Sequence, residues 1–243
     1  MPNVAFHLDK AAARPNKATI RRIVNKWSDA KLEANHSYIQ WLFPLYTAGV
    51  NPYAHRLRKA ETECSAGSAS ASAWVVKAYK RMLAFYGWRL VDEETGEVAR
   101  LKSRSAHRER MINLTTHTHN YRRITRILAS LGHCGFARYK EQLVTFLGAQ
   151  IKAAKALPRP PKRPKRPSRK SSRKAVKAYR AELRAHTKAR RKYRKSVAGS
   201  YALLKSSYKR FWAPTVAYGN KRAYKRATAA SPSERRRLSV FFR

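Results

Sequence analysis

Asn35-His36-Ser37-Tyr38-Ile39-Gln40-Trp41-Leu42-Phe43-Pro44 sets the architecture of this chain. Between Tyr38 and Phe43 only Gln40 is polar, so a helical turn here is apolar almost all round and has to be enclosed by other elements. Burying Tyr38, Ile39, Trp41, Leu42 and Phe43 is worth about 7–15 kcal/mol gross, at about 1.5–3 kcal/mol each, an upper bound because the unfolded chain already hides part of that area. Asn35 can cap the turn through its side-chain oxygen. Pro44 biases Phe43 away from the helical region and stops it. A short buried strand is the competing reading of such a run, and periodicity does not separate the two.

Working outward, the apolar residues keep a helical period. Upstream, Asn16 is placed to cap a helix with Ile20, Ile23, Val24 and Trp27 at i, i+3, i+4 and i+7. Residues 1–15 read as an irregular arm. Downstream, residues 53–64 read as a short exposed helix, and Ser72 as the cap of a helix from Ala73 to Gly87 that turns Trp74, Ala78, Met82, Phe85 and Tyr86 inward. Asp92 to Glu97 is an acidic cluster with a turn glycine, read as a solvated turn because it lacks the alternating ligands of a calcium loop. A helix from about Arg104 to Leu114 follows, then one from Thr116 to Leu131. Tyr121, Ile124, Ile127, Leu128 and Leu131 form its stripe, Arg122, Arg123 and Arg126 project elsewhere, and Gly132 is its cap. A last helix spans Phe136 to Ile151. With no convincing pair of alternating strands, the fold class is all-α, a multi-helix bundle.

The chain has 243 residues, 43% apolar content and a net charge of +42. That positive a surface attracts phosphate backbones, anionic headgroups or acidic proteins. The charge is uneven: up to Leu157 there are 26 Lys+Arg against 11 Asp+Glu, and from Pro158 onward 29 against 2. Residues 158–172 read as a basic Pro-rich linker, in polyproline II or disordered. In residues 173–212 Val176, Tyr179, Leu183, His186, Arg190, Tyr193, Val197, Tyr201, Leu204, Tyr208 and Phe211 fall on one helical face, giving a long basic helix or two helices divided near Gly199. Residues 213–243 are a basic tail without periodicity. The helical domain is then 16–157.

Lys162, Arg163, Lys165, Arg166, Arg169, Lys170, Arg173 and Lys174 lie within thirteen residues, and Arg190, Arg191, Lys192, Arg194 and Lys195 extend the basic surface. Such tracts follow a phosphate backbone or serve as a nuclear import signal. Tyr193, Tyr201, Tyr208 and Trp212 have the right chemistry to stack on bases, but their helical spacing favours packing. His117 and His119, with His107 or His133, could gather around zinc, yet on a helix positions two apart point to different sides and no Cys pair has finger spacing. No metal or cofactor site is therefore expected. His36 reads as a hydrogen-bonded core or capping residue rather than a base. No phosphate loop, nucleophile elbow or carboxylate pair points to catalysis. Cys64 and Cys134 form no disulfide framework, and Cys134, between Gly132 and Gly135, could be exposed, though a lone thiol carries little weight. No transmembrane run or signal-peptide core is present, so an intracellular protein is expected.

The residues from Trp27 to Ile151 resemble the conserved domain of the opioid growth factor receptor family. The resemblance is carried by Trp27, Leu32-Glu33, the segment from Asn35 through His36, Tyr38, Trp41 and Phe43 to Pro44, Gly49-Val50-Asn51, Phe85-Tyr86-Gly87, Thr95-Gly96-Glu97, His119-Asn120-Tyr121 and Arg123 to Leu128. It implies a helical, non-enzymatic domain associated with the nucleus, and an opioid-type peptide as ligand by family name. After Ile151 the sequence departs from the animal receptor. The expected partners are nucleic acid or another polyanion, with a protein partner recruited by the domain. The alternatives are a basic component of a virion or ribonucleoprotein particle, and a peptide receptor.

Overall fold

The computed structural model describes residues 1–115, 117, 119–153, 162–168, 172–194 and 204–213. The elements run α1 (Pro2–His7), α2 (Ile20–Lys26), α3 (Asp29–Ala34), α4 (Ile39–Leu42), α5 (Lys59–Gly67), α6 (Ala69–Phe85), β1 (Trp88–Leu90), β2 (Val98–Arg100), α7 (Arg104–Arg110), α8 (Ile112–Thr115), α9 (Asn120–His133), α10 (Ala137–Ala153) and α11 (Arg173–Arg194). Tyr208–Trp212 then form a turn of π-helix. The molecule is mostly helical, as its periodicity predicts.

The segment from Tyr38 to Pro44 is enclosed. Tyr38, Trp41, Leu42 and Phe43 are at most 4% exposed, and Pro44 is buried with them. Trp41 packs on Phe6 with ring centroids 5.5 Å apart, and Tyr38 meets Trp27 edge-on at 5.6 Å. Burial pushes the Tyr38 hydroxyl up to about 12. Because α4 is a single turn, its last carbonyls have no helical donors and need others. His7 Nε2 lies 3.3 Å from the Leu42 oxygen, Arg126 Nε donates to Phe43 at 2.8 Å, and the Ser130 hydroxyl donates to Pro44 at 2.9 Å. Trp41 Nε1 donates to the Arg14 carbonyl at 3.0 Å. The core segment is thus clamped by polar groups from α1 and α9.

Several expectations are corrected. Residues 1–15 are not an irregular arm: α1 buries Phe6 and His7 against the core, and the Asn3 amides donate to a carboxylate, Glu61, that is itself 1% exposed. The helix at 53–64 begins at Lys59 and is anchored by that glutamate. Asn16 caps nothing. It pairs with Asn35, whose Nδ2 donates to Asn16 Oδ1 at 2.7 Å, and the caps are Thr19 on α2 and Ser68 on α6. Asn35 likewise does not cap α4; its Oδ1 accepts from the Ser37 amide at 3.0 Å. Trp74 is only partly buried.

The absence of strands is also corrected. β1 and β2 form an antiparallel hairpin with Trp88 opposite Arg100 and Leu90 opposite Val98. Its acidic turn is built by Asp92, which accepts from the Glu94 amide at 2.7 Å and the Thr95 hydroxyl at 3.0 Å. Gly96 at φ +80° lets the turn lie against α10, where an added Cβ would sit 2.7 Å from Tyr139 Cδ1. Gly132 lies inside α9, and the left-handed glycine that follows the helix is Gly135.

Beyond α10 the chain returns to the domain. Trp212 is completely buried, its Nε1 donating to Thr125 Oγ1 at 2.9 Å and its ring edge-on to Tyr121. Tyr208 approaches α10 so closely at Gly148 that a Cβ there would meet its hydroxyl at 2.6 Å. Packing, rather than base stacking, is therefore what Trp212 does in this structure. The linker residues 158–161 and 169–171, Tyr193's side chain, residues 195–203 with the expected division at Gly199, and the tail from 214 lie outside the described residues.

The buried His7 gives the fold a pH dependence. Burial pulls its pKa from 6.5 down to about 4, outweighing the Leu42 carbonyl and the nearby Glu61 carboxylate, which act the other way. A base held neutral by folding leaves stability intact above the unfolded pKa. Stability is lost as pH falls through 6.5 towards 4, where the unfolded chain takes the proton and the folded one resists it. The loss attributable to His7 is about 3 kcal/mol. Urea unfolding at pH 7 and pH 4.5 should show most of it, and a His7→Phe variant should lose less over the same interval.

Candidate functional site

Two regions concentrate functional chemistry. The first lies beside the core segment. Arg123, 4% exposed on α9, reaches under the chain leaving α3: its Nη2 donates to the carbonyls of Asn35 at 2.8 Å and Glu33 at 3.2 Å, and its Nη1 to Asn120 Oδ1 at 3.1 Å. Its guanidinium also lies 5.4 Å from the Tyr38 ring centroid. Arg126 is half-buried, and desolvation lowers it to about 10. Both arginines were expected to project away from the core. They instead supply the donors that an irregular, enclosed segment lacks.

Glu33 stands at the edge of this network. Its Oε2 accepts from Asn120 Nδ2 at 2.9 Å and lies 3.9 Å from Arg123 Nη1. Its Oε1 faces two imidazoles, with His119 Nε2 at 2.7 Å and His117 Nδ1 at 3.3 Å. Desolvation lowers His119 despite the adjacent carboxylate, with Arg123 and the other two histidines acting in the same direction. His36, expected as a hydrogen-bonded core or capping residue, is exposed and caps no helix; its Nδ1 lies 3.4 Å from Arg123 Nη2 and its ring meets His119 edge-on. His107 is elsewhere, 2.8 Å from the Gly87 carbonyl, and His133 packs on Tyr46. His117 and His119 converge because they precede α9 in non-helical chain, where the helical argument against their meeting does not apply. Sequence reasoning missed Glu33 as their partner, since 84 residues separate it from His117. Cys134 is buried rather than exposed, and burial raises its thiol, which favours the unreactive protonated form.

The second region is basic. Lys162, Arg163, Lys165 and Arg166 are exposed, as are Arg173, Lys174, Arg190, Arg191 and Lys192 on α11, while Arg169, Lys170 and Lys195 lie outside the described residues and Arg194 ends the helix. α11 carries ten Arg and Lys against a single acid, Glu182. Arg173, Lys177, Arg180, Arg184, Lys188 and Arg191 follow one another at three- and four-residue steps and so share one face, all exposed. Over these 18 steps the helix rises about 27 Å. The face was not singled out from sequence, where the apolar stripe drew the reading. That stripe, Val176, Tyr179, Leu183 and His186, is half-buried.

The architecture defines a helical domain closed over an aromatic segment and followed by a basic helix. This chain belongs to the family of the opioid growth factor receptor (OGFr) conserved region, whose family model matches residues 1–159. It is 42% identical over 160 residues to the opioid growth factor receptor of Rattus norvegicus, covering 65% of this chain and 27% of that protein. The Homo sapiens receptor is 41% identical over 159 residues, 65% of this chain and 23% of its own length. The Mus musculus opioid growth factor receptor-like protein 1 is 40% identical over 160 residues, 65% and 34% respectively. The matched region thus spans about a quarter to a third of the length of these curated relatives. No solved structure matches the chain. The family match begins at residue 1, in keeping with the folded α1.

Proposed function

We propose that this protein is a non-enzymatic, strongly basic adaptor of the nucleus. Its OGFr-type domain is the body that holds a protein partner, and its C-terminal half docks on nucleic acid or another polyanion. The observation that supports this reading is the row of exposed cations on α11, Arg173, Lys177, Arg180, Arg184, Lys188 and Arg191, opposed by one carboxylate on the whole helix. Cations held at regular steps along a rod match a phosphate backbone, and contacts of that kind give affinity without sequence information. Arg and Lys on the 162–166 stretch add to the same attraction.

The test is a fluorescence-anisotropy titration of the full chain against two DNA duplexes of unrelated sequence, with heparin as a non-nucleic polyanion. Saturable binding of equal strength to both duplexes is expected. Absence of saturable binding to any of the three, or strong preference for one duplex, would end the reading. The same charge suits a basic component of a virion or ribonucleoprotein particle, which would copurify with nucleic acid in stoichiometric amounts and lose it on nuclease treatment. The relatives' names supply a competing reading, receptor for an opioid-type peptide. Saturable binding of such a peptide to the full chain would support that alternative.

A further inference from the structure

Glu33 keeps its two carboxylate oxygens in different company. Oε2 is fixed by Asn120, which is fully buried and also donates to the Asn113 carbonyl at 2.8 Å. Arg123 stands on that same side. Oε1 is left to His117 Nδ1 and His119 Nε2, and one ligand atom from each of Glu33, His117 and His119 can be chosen so that all lie within 4.8 Å of one another. His119 Nε2 is closed off from solvent yet has no hydrogen bond. Its 2.7 Å approach to Oε1 is an ion-pair contact out of line with a ring N–H bond. A shielded ring nitrogen with no proton partner, standing next to a carboxylate and a second imidazole, is a donor set without its acceptor.

We infer that Glu33, His117 and His119 form a divalent-metal site of the zinc type, with a solvent molecule completing the coordination. Two imidazoles and one carboxylate are a zinc donor set that keeps an open position, and imidazole nitrogen selects against calcium and magnesium. Tetrahedral ligands at about 2.0–2.1 Å from zinc lie about 3.3 Å from one another, so the separations here need adjustments of about 1 Å. Both histidine side chains are more than a third exposed and can make them. Asn120 supplies the outer hydrogen bond that holds a ligating carboxylate in place. The positive charge of Arg123 stays on the far oxygen, where three acceptors already hold the guanidinium. Such a site would tie α3 to the chain entering α9, next to the core segment. It stands independently of polyanion binding.

The test uses the full chain after chelation, titrated with Zn²⁺ by calorimetry and with Co²⁺ by visible absorption. One ion per chain, cobalt bands of low coordination, and a thermal midpoint raised by Zn²⁺ are expected. His117→Ala, at a partly exposed position, should fold normally by circular dichroism yet bind Zn²⁺ about 100-fold or more weakly, since even outer partners cost about 10- to 100-fold. His119→Ala should do the same, whereas His55→Ala and His186→Ala should bind as the parent does. Failure of the parent chain to bind Zn²⁺, or undiminished binding in His117→Ala, would overturn the assignment.

Discussion

Raising monovalent salt from about 50 to about 200 mM is expected to weaken binding of this protein to duplex DNA by about 10³- to 10⁵-fold. The size follows from the number of phosphates neutralised, because each releases condensed counterions and contributes about 0.9 to the slope of log affinity against log salt. Six cations on one face of α11 already reach the lower end of the range of about six to ten phosphates behind this figure, and the exposed Lys162, Arg163, Lys165 and Arg166 extend it. Anisotropy titrations at four salt concentrations measure the slope. A dependence near zero would mean that the cations are engaged elsewhere and that the docking reading is wrong.

The second large effect concerns stability. Arg123→Ala is expected to cost about 3–5 kcal/mol, the range for removing one member of a buried charged group. Arg123 supplies donors to the Asn35 and Glu33 carbonyls and to Asn120 Oδ1, and its loss leaves these acceptors short of partners beside a cavity. Arg123→Lys should recover only part, because an ammonium cannot present the same planar fork. Urea unfolding at pH 7 measures both. A loss below about 1 kcal/mol for the alanine variant would show that the segment is held by its apolar side chains alone.

That arginine also marks where the sequence was and was not legible. The burial of Tyr38, Trp41 and Phe43 could be read from their crowding, because so many apolar atoms on a single turn leave no side for water. What clamps the turn could not, because a short helix flanked by irregular chain takes its donors from residues far away in sequence. Arg123, Arg126 and Ser130 carry no local signature of that duty, and a charge on an amphipathic helix ordinarily faces solvent. α1 was hidden because Asn3 and His7 read as polar, and their burial depends on Glu61 and the Leu42 carbonyl. The hairpin-like turn could be read from Gly96, but its strands were hidden because three-residue strands carry too little alternation to register. For the histidine cluster, period was the wrong guide: His117 and His119 meet Glu33 because the helix begins only after them.

In the proposed reading, the domain closed over its aromatic segment and the cationic helix that engages a polyanion are separate working parts of one chain. The most direct test of that separation is the triple variant Arg180→Gln, Arg184→Gln and Lys188→Gln, compared with the parent for thermal midpoint and for the salt slope of DNA binding. The slope should become shallower by about 2.7, because three fewer phosphates are neutralised. The thermal midpoint should stay unchanged, since exposed substitutions move stability by only about 0.5 kcal/mol. An unchanged slope, or a midpoint that collapses with the charge, would contradict the separation.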